Sequence, residues 1–179
     1  MNIIEKLKPI EADAKIRWIP VIGSEKAKVV LDILSKYKPK RILELGCAIG
    51  YSTMILGSLG ASVVSVDTNN KELIEARENF SKFGFSNIET INGHGNEVMK
   101  GMVDSGEKFD LIFLDFEKRY YVEALELCYN LLEVGGVLLT DNINHPKSAL
   151  FKEMMLKDSR FESSLEDVGD GILVSVKVI

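Results

Sequence analysis

The stretch Leu43–Thr53, LELGCAIGYST, decides the fold of this 179-residue chain. The apolar segment RILEL at 41–45 predicts a short strand that ends at Gly46. Gly50 follows four positions later and opens a helix predicted over 51–59. A strand that turns through a glycine loop into a helix brings backbone N–H groups and a helix N-terminus close to a ligand. The stretch therefore predicts a cofactor-binding loop in an α/β domain.

Strands and helices are predicted to alternate on both sides of this loop. Apolar runs predict four further strands, at 62–66, 88–92, 109–114 and 136–140, with amphipathic helices between them. Near the end of the chain, RFESSLED and ILVSVKV flank VGDG, a pattern typical of two strands around a tight turn. This alternation favours right-handed crossovers and a parallel sheet covered on both faces. We therefore predict one α/β domain over 1–179, with a Rossmann-like, doubly wound, mostly parallel seven-stranded sheet that ends in an antiparallel hairpin.

Composition and charge indicate which kinds of partner and which compartment we expect for the protein. Lys and Arg number 22 against 27 Asp and Glu, and this acidic balance disfavours nucleic acid without excluding it. Two isolated cysteines and two histidines argue against zinc, and buried free thiols favour a reducing compartment, so we expect a cytoplasmic protein. No apolar run approaches the roughly 20 residues that a membrane span needs, and we expect no membrane partner. The first 15 residues do not form a secretory signal.

The acidic residues around the loop indicate which cofactor it binds. Asp67 ends the second predicted strand, where a carboxylate can accept both hydroxyls of a ribose. Dinucleotide loops normally have a further glycine where this chain has Ala48. Glu44, just before Gly46, would repel a diphosphate but suits a cationic sulfonium. The loop therefore favours S-adenosylmethionine over NAD, and the alternative is a tight turn whose glycines serve packing alone.

Oxygen-bearing side chains follow the fourth and fifth predicted strands. Asp115 ends the strand in LIFLDFEK, and Asp141 and Asn142 end the strand in GVLLTDN. If these strands are neighbours, their carboxyl ends open at the same edge as the glycine loop. Ligation by oxygen alone suits Mg²⁺ or another divalent cation, whereas the alternative is that each aspartate caps a helix or turn. Lys118 could act as a general base beside such a cation, or be a solvated charge at a helix start.

The motif around the glycine loop resembles that of a known family. LELGCAIGYST closely resembles the first motif of class I S-adenosylmethionine-dependent methyltransferases. The G-x-x-x-G-Y-S form is similar to the cation-dependent O-methyltransferases, the group of catechol and caffeoyl-coenzyme A methyltransferases. The resemblance extends from about Trp18 to the C-terminus.

The resemblance implies a set of site residues. It assigns the divalent cation to Asp115, Asp141 and Asn142, and catalysis to Lys118 and Asp115. The cofactor is assigned to Glu44, Gly46, Gly50, Tyr51, Ser52, Asp67, Thr68, His94, Gly95, Asp115, Ile22 and Gly23. The acceptor is assigned to Trp18, Lys118, Asn142 and Pro146. Trp18 and Pro146 could equally serve loop packing, and His94 either caps a helix or meets the adenine.

The implied reaction is methyl transfer to a hydroxyl oxygen. The acceptor hydroxyl would be ionised at the cation, Lys118 would receive the proton, and the oxyanion would attack the methyl carbon in line with sulfur. Because vicinal hydroxyls chelate a cation as a pair, we expect a catechol-like small molecule as the acceptor. The short N-terminal extension, 1–20, could cover the acceptor side, but it leaves an open site that suits a bulky acceptor or completion by a second subunit in a homodimer.

The leading hypothesis is therefore a Mg²⁺-dependent O-methyltransferase that uses S-adenosylmethionine. A second hypothesis within the same fold is methylation of a hydroxylated uridine-type tRNA base. A third is an S-adenosylmethionine-binding protein without catalytic activity. An NAD-linked dehydrogenase ranks last because the loop has Ala48 where a dinucleotide loop has glycine.

Overall fold

The computed structural model describes residues 2–179 and confirms the predicted sheet. Seven strands lie in the order β3-β2-β1-β4-β5-β7-β6. Strands β1 to β5 are parallel, and β7 runs antiparallel to both β5 and β6. The strands are β1 Arg41–Leu45, β2 Ser62–Asp67, β3 Ile88–Asn92, β4 Phe109–Leu114, β5 Leu132–Asp141, β6 Phe161–Glu166 and β7 Ile172–Lys177. The terminal hairpin therefore forms where the sequence predicted it.

Helices cover both faces of the sheet. They are α1 Ile3–Ile16, α2 Gly23–Tyr37, α3 Tyr51–Gly57, α4 Asn70–Phe83, α5 Gly95–Asp104, α6 Tyr121–Leu131 and α7 Ala149–Lys157. Alternate residues of each strand point to opposite faces, so Ile42 packs with α1 to α4 while Leu43 packs with α5 to α7. Both residues are fully buried, as expected for a central parallel strand.

The N-terminal segment forms a helix that packs into the hydrophobic core. Its helix α1 buries Leu7, Ile10 and Ala14 against α2 and α3, and each of the two larger side chains contributes about 1.5–3 kcal/mol by burial. The sequence analysis treated 1–20 as a cover for the acceptor and did not predict this packing role. The described helices include none that is long and apolar enough to cross a bilayer.

One local prediction needs correction. Helix α2 begins at Gly23 without a side-chain cap, and the Ser24 backbone N–H donates to Glu11 Oε1 at 3.1 Å. Strand β5 begins at Leu132 rather than Gly136, directly after α6. The register between β4 and β5 shifts between Phe109 and Leu111, and this irregularity accommodates the early start of β5.

The strand order defines where a ligand can bind. The chain leaves β1 to form β2 and β3 on one side, and later returns to form β4 on the other side of β1. The loops after β1 and β4 therefore diverge, and ligands of open α/β sheets bind in the crevice at this switch point. Gly46 follows β1 and Asp115 follows β4, so both predicted site residues lie at this crevice.

Candidate active site

The glycine loop packs directly against the end of β4. Gly46 has φ +107°, and a Cβ there would lie 2.3 Å from the carbonyl oxygen of Asp115. The Gly46 N–H donates to the Val66 carbonyl and the Asp115 N–H to the Leu45 carbonyl, both at 2.9 Å. Only glycine combines this backbone conformation with such a close approach. The loop after β1 is thus fixed beside both β2 and β4.

One cavity at the switch point brings most of the predicted site residues together. The predicted residues that line it are Ile22, Gly46, Tyr51, Ser52, Asp67, Thr68, His94, Gly95, Asp115, Lys118, Asp141 and Asn142. Residues that the sequence analysis did not assign also line it, among them Lys26, Cys47, Glu72, Phe116 and Tyr120. The lining therefore joins the cofactor loop to the oxygen-bearing ends of β4 and β5.

Five predicted site residues lie outside this lining. Glu44 is completely buried beneath the loop, and a Cβ on Gly50 would meet the Phe80 ring at 2.4 Å, so Gly50 serves close packing. Gly23 lies at the start of α2, and Pro146 opens a 3₁₀ turn. Trp18 is 92% exposed and has φ +58°.

Asp67 is held by backbone N–H groups at the end of β2. Its Oδ2 accepts from the Ala48 N–H at 2.9 Å, and its Oδ1 accepts from the Asn69 N–H at 2.8 Å. Ala48, which replaces the third glycine, adopts φ +44° and thereby turns its N–H towards this carboxylate. Asp67 thus links the glycine loop to β2 at the position predicted for a ribose. Nearby Glu72 also faces the cavity, and burial together with the Asp67 charge raises its pKa.

Glu44 is completely buried among hydroxyl groups of α3 and β2. Its Oε2 accepts from Thr53 Oγ1 and Ser65 Oγ, each at 2.5 Å, whereas Oε1 is buried without a hydrogen-bond partner among the residues described. Burial is the main cause that raises the pKa of Glu44, to about 7. The sequence analysis assigned this carboxylate to the cofactor, whereas the structure buries it completely and leaves it out of the cavity lining.

Tyr51 connects the cofactor loop to the N-terminal helix. Its hydroxyl donates to Glu11 Oε2 at 3.2 Å, and Glu11 Oε1 accepts from the Ser24 N–H. Burial, followed by the charge of Glu11, raises the pKa of Tyr51. A single glutamate of α1 therefore joins the start of α2 to the start of α3.

An aromatic cluster forms another wall of the cavity. The His94 ring meets the Tyr120 ring edge to face, with centroids 4.4 Å apart, and the Phe116 ring stacks with Tyr120 at 6.3 Å. His94 occupies the N-cap position of α5 but makes no side-chain cap hydrogen bond. The His94 side chain therefore does not cap α5, and it lines the cavity.

Two carboxylates and two ammonium groups meet at the ends of β4 and β5. Lys26 Nζ donates to Asp141 Oδ1 at 2.5 Å, and this pair is buried, with side chains 10% and 3% exposed. Lys118 Nζ lies 3.6 Å from Asp115 Oδ1. Burial and then the charge of Asp141 raise the pKa of Asp115 well above its usual range, while the two lysines act in the opposite direction.

Several oxygens at this end of the sheet have no hydrogen-bond donor among the described residues. Asp141 Oδ1 accepts from Lys26 and from the Asn142 N–H at 2.7 Å, and this leaves Oδ2 without a protein donor in the described chain. Asp115 has no hydrogen-bond donor there either, and Asn142 has φ +52° at the end of β5. No group of three His, Cys, Asp or Glu side chains within residues 2–179 could hold a metal, so a cation at Asp115 and Asp141 would need a further ligand such as the Asn142 amide oxygen.

Sequence reasoning missed Lys26 and Glu11 because nothing local marks them. Lys26 lies in the first turns of α2 among other charged residues, and Glu11 lies on a helix that was not predicted. Phe116 and Tyr120 follow Asp115 closely, and an aromatic cluster next to a predicted site was the available signal for them.

Comparisons with known proteins agree with this site and fold. The O-methyltransferase family model matches residues 2–178, so the chain belongs to the O-methyltransferase family. Catechol O-methyltransferase B of Danio rerio is 29% identical over 155 residues, which cover 82% of this chain and 58% of that protein. The chain thus spans little more than half the length of this relative.

Two solved structures share the fold. A candidate caffeoyl-CoA O-methyltransferase from Staphylococcus aureus superposes with a TM-score of 0.87 at 23% identity, covering 99% of this chain and 93% of its own. The O-methyltransferase from Bacillus cereus in complex with SAH superposes with a TM-score of 0.82 at 21% identity, covering 98% and 90%. These likenesses confirm the Rossmann-like fold with a terminal antiparallel hairpin that the sequence predicted.

Proposed function

We propose that this chain is an S-adenosylmethionine-dependent O-methyltransferase that acts on a small hydroxylated, catechol-like acceptor with the help of Mg²⁺ or a similar cation. One observation carries the proposal: a single cavity is lined both by the glycine loop with Asp67 and by Asp115, Lys118, Asp141 and Asn142. Membership of the O-methyltransferase family supports it.

The cofactor would lie across the switch point. The loop after β1 and the first turn of α3, with Ser52, offer polar groups to the methionine end, and Asp67 offers a carboxylate to the ribose. The aromatic cluster of His94, Phe116 and Tyr120 offers flat surfaces to the adenine. S-adenosylmethionine supplies the electrophilic methyl group, and the SAH complex of the Bacillus cereus protein is consistent with this cofactor.

The acceptor would lie beside Lys118, at the ends of β4 and β5. Asp115, Asp141 and Asn142 would hold the cation, which would lower the pKa of an acceptor hydroxyl. Lys118, partly buried and 3.6 Å from Asp115, would hold or receive the proton that the hydroxyl gives up. Positioning of the acceptor oxygen in line with the methyl carbon would supply much of the rate enhancement.

The proposal is tested by methyl transfer from labelled S-adenosylmethionine to catechol, with and without a chelator. We expect turnover that falls with the chelator and in Lys118→Met and Asp141→Asn, but not in Lys28→Met, which changes an exposed lysine of α2. Calorimetry with SAH should show binding in all four proteins. Cofactor binding without turnover on any phenolic acceptor would favour a binding protein instead.

The same assay distinguishes a tRNA acceptor from a small-molecule acceptor. Turnover on transcribed tRNA that falls steeply with added salt, together with no turnover on catechol, would overturn the small-molecule acceptor, because phosphate contacts release counterions. Turnover that a chelator leaves unchanged would remove the cation from the proposal and leave the methyl transfer.

A further inference from the structure

Lys26 is the buried charge at this site that the proposed reaction does not use. It lies on α2, and its ammonium group spans to Asp141 at the end of β5, 115 residues away in sequence. Lysine is rarely buried unless it is paired, and here only 8% of the whole residue is exposed. The pair therefore has to be explained either by stability or by function.

The surrounding chain keeps Lys26 at this carboxylate. A Cβ on Gly169, in the turn between β6 and β7, would lie 3.0 Å from Lys26 Cε, so this turn packs against the lysine stem. The turn is itself fixed to the segment after β5, because the Asn144 N–H donates to the Asp170 carbonyl at 2.8 Å. The turn of the terminal hairpin thus packs against the Lys26 member of the ion pair.

Lys26 already neutralises the carboxylate that would bind a cation. Asp141 is proposed as a ligand of the divalent cation, yet one of its two oxygens accepts from the Lys26 ammonium at 2.5 Å. An ammonium group and a dication on the same buried carboxylate repel each other, and the repulsion is strong where water screens poorly. With Lys118 beside Asp115, two lysines balance the two carboxylates of this edge.

We propose that Lys26 is a resident cation that competes with the divalent metal for Asp141 and so weakens metal binding by the free protein. This inference rests on the proposed cation site at Asp115, Asp141 and Asn142. It implies that the metal binds firmly only when an ionised acceptor adds negative charge to the site. Lys26 would then be a positioning residue that couples metal binding to acceptor binding, rather than a catalytic residue.

The test is a Mn²⁺ titration followed by electron paramagnetic resonance, without cofactor or acceptor. We expect Lys26→Met and Lys26→Gln to bind Mn²⁺ about tenfold more tightly than the parent, or tighter still, because each removes the competing charge. Lys26→Arg keeps the charge and should bind as weakly as the parent, and so should the matched control Lys28→Met on the same helix.

A thermal-shift measurement gives a second readout. Loss of the Lys26 charge leaves Asp141 buried without its cation, so both neutral variants should melt below the parent without metal. Mn²⁺ should raise their melting temperatures more than that of the parent, because tighter binding to the folded state stabilises it more. The Gln variant keeps a hydrogen-bond donor for Asp141 and covers the case in which the Met variant fails to fold.

Several results would overturn the inference. Equal or weaker Mn²⁺ binding by the neutral variants would show that Lys26 supports the metal site or serves stability alone. If no variant bound Mn²⁺, the inference that Lys26 competes with a metal for Asp141 would also be wrong. The proposed function would still be tested separately, by methyl transfer to catechol. If Lys26→Arg gained as much Mn²⁺ affinity as the neutral variants, the charge of Lys26 would not be the cause.

Discussion

The buried carboxylate of Glu44 makes the stability of this protein depend on pH in a calculable direction. Burial raises the pKa of Glu44 from its ordinary 4.5 to about 7 in the folded chain. Between these values the unfolded chain has released the proton while the folded chain still holds it. The folded state therefore loses about 1.4 kcal/mol of stability for each pH unit of rise through this window.

The substitution Glu44→Gln removes this titration and imitates the protonated side chain. Integration from about pH 5.5 to about pH 8.5 gives a cost of about 2 kcal/mol that wild-type Glu44 imposes and the glutamine does not. We therefore expect the variant to gain about 2 kcal/mol in free energy of unfolding, relative to wild type, between these two pH values. Any pH-independent cost of a buried amide beside Thr53 and Ser65 cancels in this difference.

The assay is urea unfolding followed by circular dichroism for wild type and variant at both pH values. Glu97→Gln, at an exposed position in the first turn of α5, is the matched control and should show the same difference at both. If the stability difference between Glu44→Gln and wild type is unchanged by pH, the carboxyl is not held protonated by burial, and the reasoning about its site is wrong.

Three further outcomes follow from the contacts of the site. Gly46→Ala should lower the free energy of unfolding by about 2 kcal/mol or more, because its Cβ would lie 2.3 Å from the Asp115 carbonyl oxygen at φ +107°; calorimetry should show no SAH binding, and an unchanged melting temperature would contradict this. Tyr51→Phe should cost about 1 kcal/mol in urea unfolding, because it removes the 3.2 Å hydrogen bond to Glu11; stability equal to wild type would mean that this bond contributes nothing. Lys118→Met should lower kcat about 100-fold or more in the proposed reaction, with the SAH affinity kept; a parallel loss of SAH affinity would assign Lys118 to the cofactor instead.

The fold was predictable because its signals are local. The apolar runs of β1 and β4, and the glycine loop at 46–50, each identify an element within a few residues. Parallel crossovers then restrict how such elements can assemble, and the observed strand order follows that restriction. Helix α1 was missed although its buried residues have helical spacing, because Pro9 inside the segment argues against a helix.

The composition of the site was predictable only in part. Strand ends are visible in sequence, so Asp67, Asp115 and Asp141 could be placed at one edge of the sheet before the structure was known. The direction in which each side chain points was harder to predict from the sequence. Glu44 is one residue before Leu45, and the alternation of a strand turns it to the face opposite that of Leu45, towards Thr53 and Ser65 rather than the cavity.

What determines the chemistry of each carboxylate is its partner, and the partners are distant in sequence. Asp67 accepts from a backbone N–H 19 residues away, Glu44 from a hydroxyl 21 residues away, and Asp141 from an ammonium group 115 residues away. An N–H keeps a carboxylate available to a neutral ribose, a hydroxyl leaves it able to hold a proton, and an ammonium group neutralises it outright. Three acidic residues that look alike in sequence therefore have three different capacities, and only the fold that joins α2 to the end of β5 reveals that the proposed cation site already has an ammonium group beside it.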